Sequence, residues 1–136
     1  MADIVGYHHV SLTVTNRERS TRWYCDVLGF TVQDDTIEGK WFRRTRLQHG
    51  SGAGPAMILT LTEHDDGSGD RFSPMRTGLD HFSLQVRTRH DLDELVRRVD
   101  ELGVRHSELK STAAGNAMVT LRDPDNIQLE LFAPGP

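Results

Sequence analysis

The chain lacks the features that mark several large classes of protein. It has a single cysteine, Cys25, so it cannot form a framework of internal disulfides. No apolar run approaches the roughly 18 residues of a membrane-spanning helix, and the N-terminus has neither the basic nor the apolar region of a signal peptide. The formal net charge of −4 gives no reason to expect nucleic acid or an acidic membrane as a partner. We therefore expect a cytoplasmic protein that binds neither.

The 136 residues, enough for one domain with a sizeable core, show the same series of predicted elements twice. Alternating apolar residues and capping signals predict a strand, a helix and three strands in each half. A glycine-rich run at 50–55 separates the last two strands of the first half. The predicted elements of the first half are a strand at 7–14, a helix ending at 28, and strands at 30–33, 41–48 and 57–62. Those of the second half are a strand at 79–86, a helix at 89–102, and strands near 105–109, 117–122 and 127–132.

The two halves also match in residue type. The hexapeptide His-Val-Ser-Leu-Thr-Val from His9 recurs as His-Phe-Ser-Leu-Gln-Val from His81, and the helix exit Leu28-Gly29 recurs as Leu102-Gly103. The strand segment Ile58-Leu59-Thr60-Leu61 recurs in weaker form as Gln128-Leu129-Glu130-Leu131. Because the offset stays between 70 and 74 residues at three points, an internal duplication explains it best. We predict an α+β fold of two tandem βαβββ modules whose curved mixed sheets surround a cleft. The first module covers about 6–63, a polar linker 64–77, and the second module about 78–133.

The last strand places a carboxylate where a sheet face could be covered. Glu130 alternates with Leu129 and Leu131 along this strand. Because an unpaired buried charge is very costly, the carboxylate of Glu130 would need a partner. His9 and His81 open two other strands. Two histidines and a glutamate form the ligand set of a divalent metal with open coordination positions. The alternative is that the same three side chains form a hydrogen-bonded polar floor beneath an apolar ligand.

These motifs resemble the vicinal oxygen chelate superfamily, which includes glyoxalase I, fosfomycin-modifying enzymes, bleomycin-binding resistance proteins and extradiol dioxygenases. The resemblance covers about residues 6–133. Its most specific marks are the strand from His9, the helix exit from Tyr24 to Phe30, the Gly78-Leu79-Asp80-His81 segment, and the Asp123-Pro124-Asp125 turn followed by Glu130. It implies paired modules, a metal at the base of the cleft, and a homodimer.

Residue by residue, the resemblance implies that His9, His81 and Glu130 ligate one divalent ion, which could be iron, manganese, nickel or zinc. The fourth position is a glutamate in glyoxalase I and is Thr60 here. Because threonine cannot replace that carboxylate, a complete glyoxalase I site is not expected.

The resulting hypothesis is a metal-dependent enzyme that acts on a small molecule with vicinal oxygens by isomerisation, nucleophilic addition or oxygenation. The side chains expected to line the cleft are Ser11, Thr60, Ser83, Gln85 and Gln128. The catalytic acid or base is not assigned, and Tyr7, Tyr24, Thr60 and Gln85 are candidates on placement alone. One alternative is a metal-free resistance protein that sequesters a drug in the dimer cleft. Another is an accessory or ligand-sensing protein.

Two further predictions concern His8 and the arginines of the strand at 41–48. His8 neighbours His9 in a predicted strand and should point to the opposite face. The strand at 41–48 is rich in arginine. It predicts either a solvated basic face or the approach of Arg43 or Arg44 to an anionic substrate group.

Overall fold

The chain folds into two compact units, as a computed structural model of residues 1–50 and 56–136 shows. Residues 51–55 of the glycine-rich run lie outside the described residues. Unit one is Met1–Asp70 and unit two is Arg71–Pro136. In each unit the described residues form one helix and four strands in the order βαβββ. The prediction of an α+β fold built from two tandem βαβββ modules is therefore confirmed.

Unit one is a four-stranded mixed sheet with one helix. Its strand order is β1-β4-β3-β2, in which β1 runs parallel to β4 and the other pairs are antiparallel. The elements are β1 (Val10–Thr13), α1 (Arg17–Leu28), β2 (Thr31–Glu38), β3 (Phe42–His49) and β4 (Met57–His64).

The bounds of α1 follow from its capping residues. Asn16 is the N-cap, and its side-chain oxygen accepts a hydrogen bond from the Arg19 backbone N–H at 2.8 Å. Glu18 adds a negative charge in the first turn, where the helix dipole favours it. Gly29 ends the helix with a φ of 74°, a left-handed conformation that glycine adopts at little cost.

One face of the unit-one sheet packs beneath α1. Leu59 and Leu61 of β4 alternate beside Leu47 of β3, and all three are at most 3% exposed. A one-residue slip of β4 would turn these leucines to the other face, so the apolar core fixes the strand register. The opposite face of this sheet, called here the helix-free face of unit one, carries the side chains of Ser11, Thr13, Arg44, Arg46, Thr60 and Thr62.

Unit two repeats the same topology, with strand order β5-β8-β7-β6. Its helix begins with a capping box, because the Thr88 side chain and the Asp91 side chain each accept from the other residue's backbone N–H. Neither α1 nor the unit-two helix is long and apolar enough to cross a membrane. The elements are β5 (Phe82–Gln85), α2 (Arg89–Glu101), β6 (Lys110–Ser111), β7 (Ala117–Arg122) and β8 (Gln128–Ala133).

The core of unit two also lies between the helix and one sheet face. Leu92 and Val99 of α2 are fully buried, as is Leu129 of β8. Side-chain alternation therefore leaves the helix-free face of unit two to Ser83, Gln85, Met118, Thr120, Arg122, Gln128, Glu130 and Phe132.

The strand predicted near 105–109 is displaced, and β6 begins only at Lys110. Ser107 explains the interruption. Its Oγ, rather than a backbone carbonyl, accepts from the Thr120 backbone N–H at 3.0 Å, and its carbonyl lies 2.6 Å from Nδ1 of His106. Only an isolated bridge, between His106 and Leu121, remains of the predicted pairing there.

The predicted turn before β8 is confirmed. Asp123 Oδ1 accepts from the backbone N–H groups of Asp125 and Ile127 at 2.9 and 2.8 Å. Asn126 adopts a φ of 67°, which asparagine tolerates better than most residues. The turn thus delivers the chain into β8 in a fixed register.

Candidate metal site

Glu130 lies in the middle of the helix-free face of unit two. Its strand neighbours in register are Ser83 of β5 and Thr120 of β7. Ser83 Oγ donates to Glu130 Oε1 at 2.9 Å. The serine hydroxyl thereby orients the carboxylate, while the remaining oxygen lone pairs stay available to a ligand.

His81 lies directly before β5 and is held by a chain of polar side chains. Its Nδ1 is 2.6 Å from Oδ2 of Asp80. Gln128 Nε2 donates to the same Asp80 oxygen at 3.3 Å, and Gln128 Oε1 accepts from Arg122 Nη2 at 2.6 Å. Because a carboxylate can only accept, this contact places a hydrogen on Nδ1 of His81. The lone pair of Nε2 is then free for a metal, as in other carboxylate–histidine pairs.

Asp80 is not among the predicted site residues, although it lies in the Gly78-Leu79-Asp80-His81 segment that resembles the superfamily. The only local signal was its position next to His81. Gln128, predicted to line the cleft, lies on the helix-free face of unit two and links Arg122 to Asp80 by hydrogen bonds.

His9 lies directly before β1 in unit one, and its contact with His8 corrects the expectation that the two rings point to opposite faces. The Nδ1 atoms of His8 and His9 are 2.8 Å apart, and the ring centroids are 5.1 Å apart in an edge-to-face arrangement. Strand alternation does not apply to this pair, because β1 begins only at Val10. The contact occupies Nδ1 of His9 and leaves Nε2 for other partners.

Thr60 occupies in unit one the place that Glu130 occupies in unit two. Ser11 pairs with Thr60 between parallel strands, just as Ser83 pairs with Glu130. Thr60 is 3% exposed, and its Oγ1 has no hydrogen-bond partner among the described residues. The duplicated backbone thus holds a carboxylate in one copy and a neutral, unsatisfied hydroxyl in the other.

Of the remaining predicted site residues, Ser11 and Gln85 lie on the helix-free faces of their units. Ser11 Oγ is 3.1 Å from Thr62 Oγ1, and Gln85 is exposed at the end of β5. Tyr24 is 0% exposed in the core beneath α1, so it cannot take part in proton transfer at a sheet face. Tyr7 is fully exposed before β1.

Within either unit, the side chains of residues 1–50 and 56–136 include no group of three His, Cys, Asp or Glu placed to hold a metal ion. Two of the predicted ligands, His81 and Glu130, belong to unit two, and His9 belongs to unit one. Their chemistry fits a divalent ion: two imidazole nitrogens and one carboxylate, with the orienting partner of each unit-two ligand in place.

Two pKa shifts concern groups away from these ligands. Partial burial, and then the charge of Asp26, raise the pKa of the Cys25 thiol, so this cysteine stays protonated and is a poor nucleophile. The pKa of His106 is raised by its hydrogen bond to Asp100 first, and then by the Ser107 carbonyl. The side chain of His106 is only 19% exposed.

Comparison with known proteins identifies the family of this chain. The sequence model of the Glyoxalase/Bleomycin resistance protein/Dioxygenase superfamily matches residues 6–131. A catechol-2,3-dioxygenase of Bacillus subtilis (strain 168) is 30% identical over 134 residues, which make up 97% of this chain and 42% of that enzyme. The chain therefore spans less than half the length of that relative.

Solved structures agree with the family match. A glyoxylase/bleomycin resistance protein/dioxygenase domain from Frankia sp. EAN1pec is 31% identical, with a TM-score of 0.86 over 97% of this chain and 99% of that one. A fosfomycin resistance protein, FosX, from Listeria monocytogenes in complex with Mn(II) is 20% identical, with a TM-score of 0.72 over 98% and 95% of the two chains. The second likeness concerns the fold alone. With both units matched, this chain belongs to the Glyoxalase/Bleomycin resistance protein/Dioxygenase superfamily, also called the vicinal oxygen chelate superfamily.

Proposed function

We propose that this protein is a divalent-metal-dependent enzyme that acts on a small molecule with two adjacent oxygen functions. His9, His81 and Glu130 would ligate the ion, His9 from unit one and the others from unit two. The observation that carries the proposal is in unit two, where each ligand has its own orienting partner. Asp80 holds His81 by Nδ1, and Ser83 holds Glu130 by Oε1. Such partners fix ligand geometry in metal sites.

The charges of the proposed ligand set suit an oxygen-rich substrate. Two neutral histidines and one glutamate carry a single negative charge, so the loaded site would keep a net positive charge. A bound divalent ion supplies Lewis acidity toward oxyanions that develop on the substrate. Ser11, Ser83 and Gln85, as polar groups of the helix-free faces, would bind and orient the substrate by hydrogen bonds.

The reaction covered by the proposal is isomerisation, nucleophilic addition or oxygenation. The name of the catechol-2,3-dioxygenase relative supports oxygenation of a substrate with adjacent hydroxyls. Thr60 argues against the glyoxalase I reaction, since the fourth carboxylate of that enzyme is missing. The ion would be iron, manganese, nickel or zinc, because the ligand set alone does not select one. The proposal includes a homodimer, which light scattering would test.

The deciding experiment is elemental analysis of protein purified without a polyhistidine tag, before and after reconstitution with each of the four metals. Wild type is compared with Glu130→Ala and His81→Ala. His90→Ala, which changes an exposed histidine of α2, is the matched control. We expect about one ion per chain in wild type and in the control, on the logic of a single three-ligand site, and loss of the ion in the other two variants.

Two results would contradict the proposal. Wild type that binds none of the four metals after reconstitution would leave drug sequestration as the better explanation, because that activity needs no ion. Metal retained equally by Glu130→Ala and His81→Ala would show that the ion binds elsewhere.

A further inference from the structure

The helix-free face of unit one carries two adjacent rows of hydrogen-bonding side chains. Each row takes one residue from β3, one from β4 and one from β1, because these three strands are neighbours in the sheet. The core leucines fix this register, so the rows cannot slip. The first row is Arg46, Thr60 and Ser11, and the second is Arg44, Thr62 and Thr13.

The two arginines give this face its positive charge. Arg44 is held in place, because its Nε donates to Thr62 Oγ1 at 2.8 Å and its guanidinium carbon lies 4.7 Å from the Phe42 ring centroid. Arg46 is exposed. Asp34 of β2 is its partner in register, yet no carboxylate of the described residues lies within 4.0 Å of either guanidinium.

Arg43 behaves differently, although it precedes Arg44 in the same strand. It points to the α1 side of the sheet, where its Nη2 lies 3.6 Å from Glu63 Oε1. The structure therefore separates the two arginines that the sequence offered as alternatives: Arg43 has an ion-pair partner, and Arg44 faces the hydroxyl rows.

Thr60 supplies an independent sign of a missing partner. It is 97% buried, judged from its 3% exposure, and its hydroxyl forms no hydrogen bond with any described residue. Buried hydroxyls are normally bonded. The neighbours of Thr60 in its row are Arg46 and Ser11, so an oxyanion accepting from the guanidinium would lie beside a hydroxyl that has a proton to donate.

We propose that this face binds an oxyanion group of the substrate, a carboxylate or a phosphate-like group, through Arg44, Arg46 and Thr60. The inference rests on the proposed function for the identity of its ligand, since it assigns the charge class of that enzyme's substrate. Guanidinium groups bind such anions with paired, charge-assisted hydrogen bonds. His9 lies two residues before Ser11, directly before β1, so the anion would bind to the unit that carries one of the proposed metal ligands.

The test is titration of the metal-free chain of 136 residues with inorganic phosphate and, separately, with acetate, at constant ionic strength. Two-dimensional NMR would follow the backbone amide of Thr60 and the Nε–H signals of Arg44 and Arg46. We expect saturable shifts at these groups with at least one probe. Response to phosphate alone, to acetate alone or to both would each support the site and assign its preference.

Matched variants locate the binding. Arg44→Gln and Arg46→Gln should each weaken it by about tenfold, the cost of one charge-assisted bond. Arg43→Gln, on the other side of the same strand, should change the anion affinity by no more than about twofold, because solvent and salt screen a charge on the opposite face of the sheet. Thr60→Val keeps the shape of the side chain and should also weaken binding without unfolding the protein.

Three results would overturn the inference: no saturable shift with either probe, equal weakening in Arg43→Gln, or undiminished binding in Arg44→Gln and Arg46→Gln. Metal content measured on the same samples keeps the two proposals apart. Metal bound without anion binding would refute only the oxyanion site. Anion binding by a protein that takes up no metal would refute only the metal-dependent activity.

Discussion

Thr60 and Thr62 allow a matched test of hydrogen bonding on the helix-free face of unit one. Both lie on β4 and face the same way, with 3% and 2% exposure. Thr62 Oγ1 accepts from Arg44 Nε at 2.8 Å and lies 3.1 Å from Ser11 Oγ, whereas Thr60 Oγ1 is without a partner in the described part of the chain. We predict that Thr60→Val stabilises the protein and that Thr62→Val destabilises it.

The magnitude follows from the hydrogen bonds. An unsatisfied buried polar group costs about 1–3 kcal/mol, so its replacement by a methyl group of the same shape should raise the free energy of unfolding by about 1 kcal/mol. Thr62→Val removes two hydrogen bonds and leaves the Arg44 Nε–H unpaired. It should lower the free energy of unfolding by about 1–3 kcal/mol. Strand propensity is matched, because both residues are β-branched.

Urea denaturation of the metal-free proteins measures both changes, provided that the m-value stays constant. Thermal unfolding should agree, with a rise in Tm of about 3 °C for Thr60→Val. If Thr60→Val loses as much stability as Thr62→Val, then the Thr60 hydroxyl is bonded in the folded protein. That result would remove the argument for a missing partner at this position.

Three other predictions concern separate parts of the molecule. Asp80→Ala should weaken metal binding by about 10- to 100-fold in competition with a chelator, since it frees the His81 ring; wild-type affinity in this variant would refute the positioning role of Asp80. His106→Gln should lower the free energy of unfolding more at about pH 5.5 than at about pH 8.5, as measured by urea denaturation. The pKa of His106 in the folded protein is raised above its unfolded value of 6.5, so the protonated ring stabilises the folded protein fully at pH values below 6.5. This stabilisation is lost as the pH rises through the folded-state pKa. An equal loss at both pH values would show that the pair with Asp100 does not titrate. Gly29→Ala should cost about 1 kcal/mol of unfolding free energy, because its φ is 74°, and Gly29→Asn should cost less; no loss in the alanine variant would contradict the left-handed cap.

The helices and long strands could be predicted because their signals are local. Asn16, Gly29 and Thr88 lie within a few residues of the helix ends that they define, and buried leucines alternate along the strands. The displaced β6 shows the limit. There the Thr120 backbone N–H donates to Ser107 Oγ instead of to a backbone carbonyl of the neighbouring strand. No pattern of apolar residues predicts such a side-chain contact.

The candidate site, like the fold, could be predicted only in part. The equivalence of Thr60 and Glu130 followed from the repeat alone, and the strand registers bear it out. The role of Asp80 did not follow, because Gln128 reaches it across 48 residues of sequence. The unsatisfied hydroxyl of Thr60 is likewise a property of three-dimensional packing. Joint metal ligation by His9, His81 and Glu130 stays a prediction for the metal analysis.

The shortness of β1 and β5 has a consequence for the dynamics of the proposed enzyme. Each strand has four residues, lies at the edge of its sheet and follows directly on a proposed histidine ligand. A short edge strand has few buried contacts and one side without strand partners, and such segments open locally at a lower free energy than the core. With His9 and His81 as ligands, fraying of β1 or β5 would release the ion, and the ion would in turn hold these strands closed. Amide hydrogen exchange in both strands should therefore slow on metal loading, while exchange in the core of α2 stays the same.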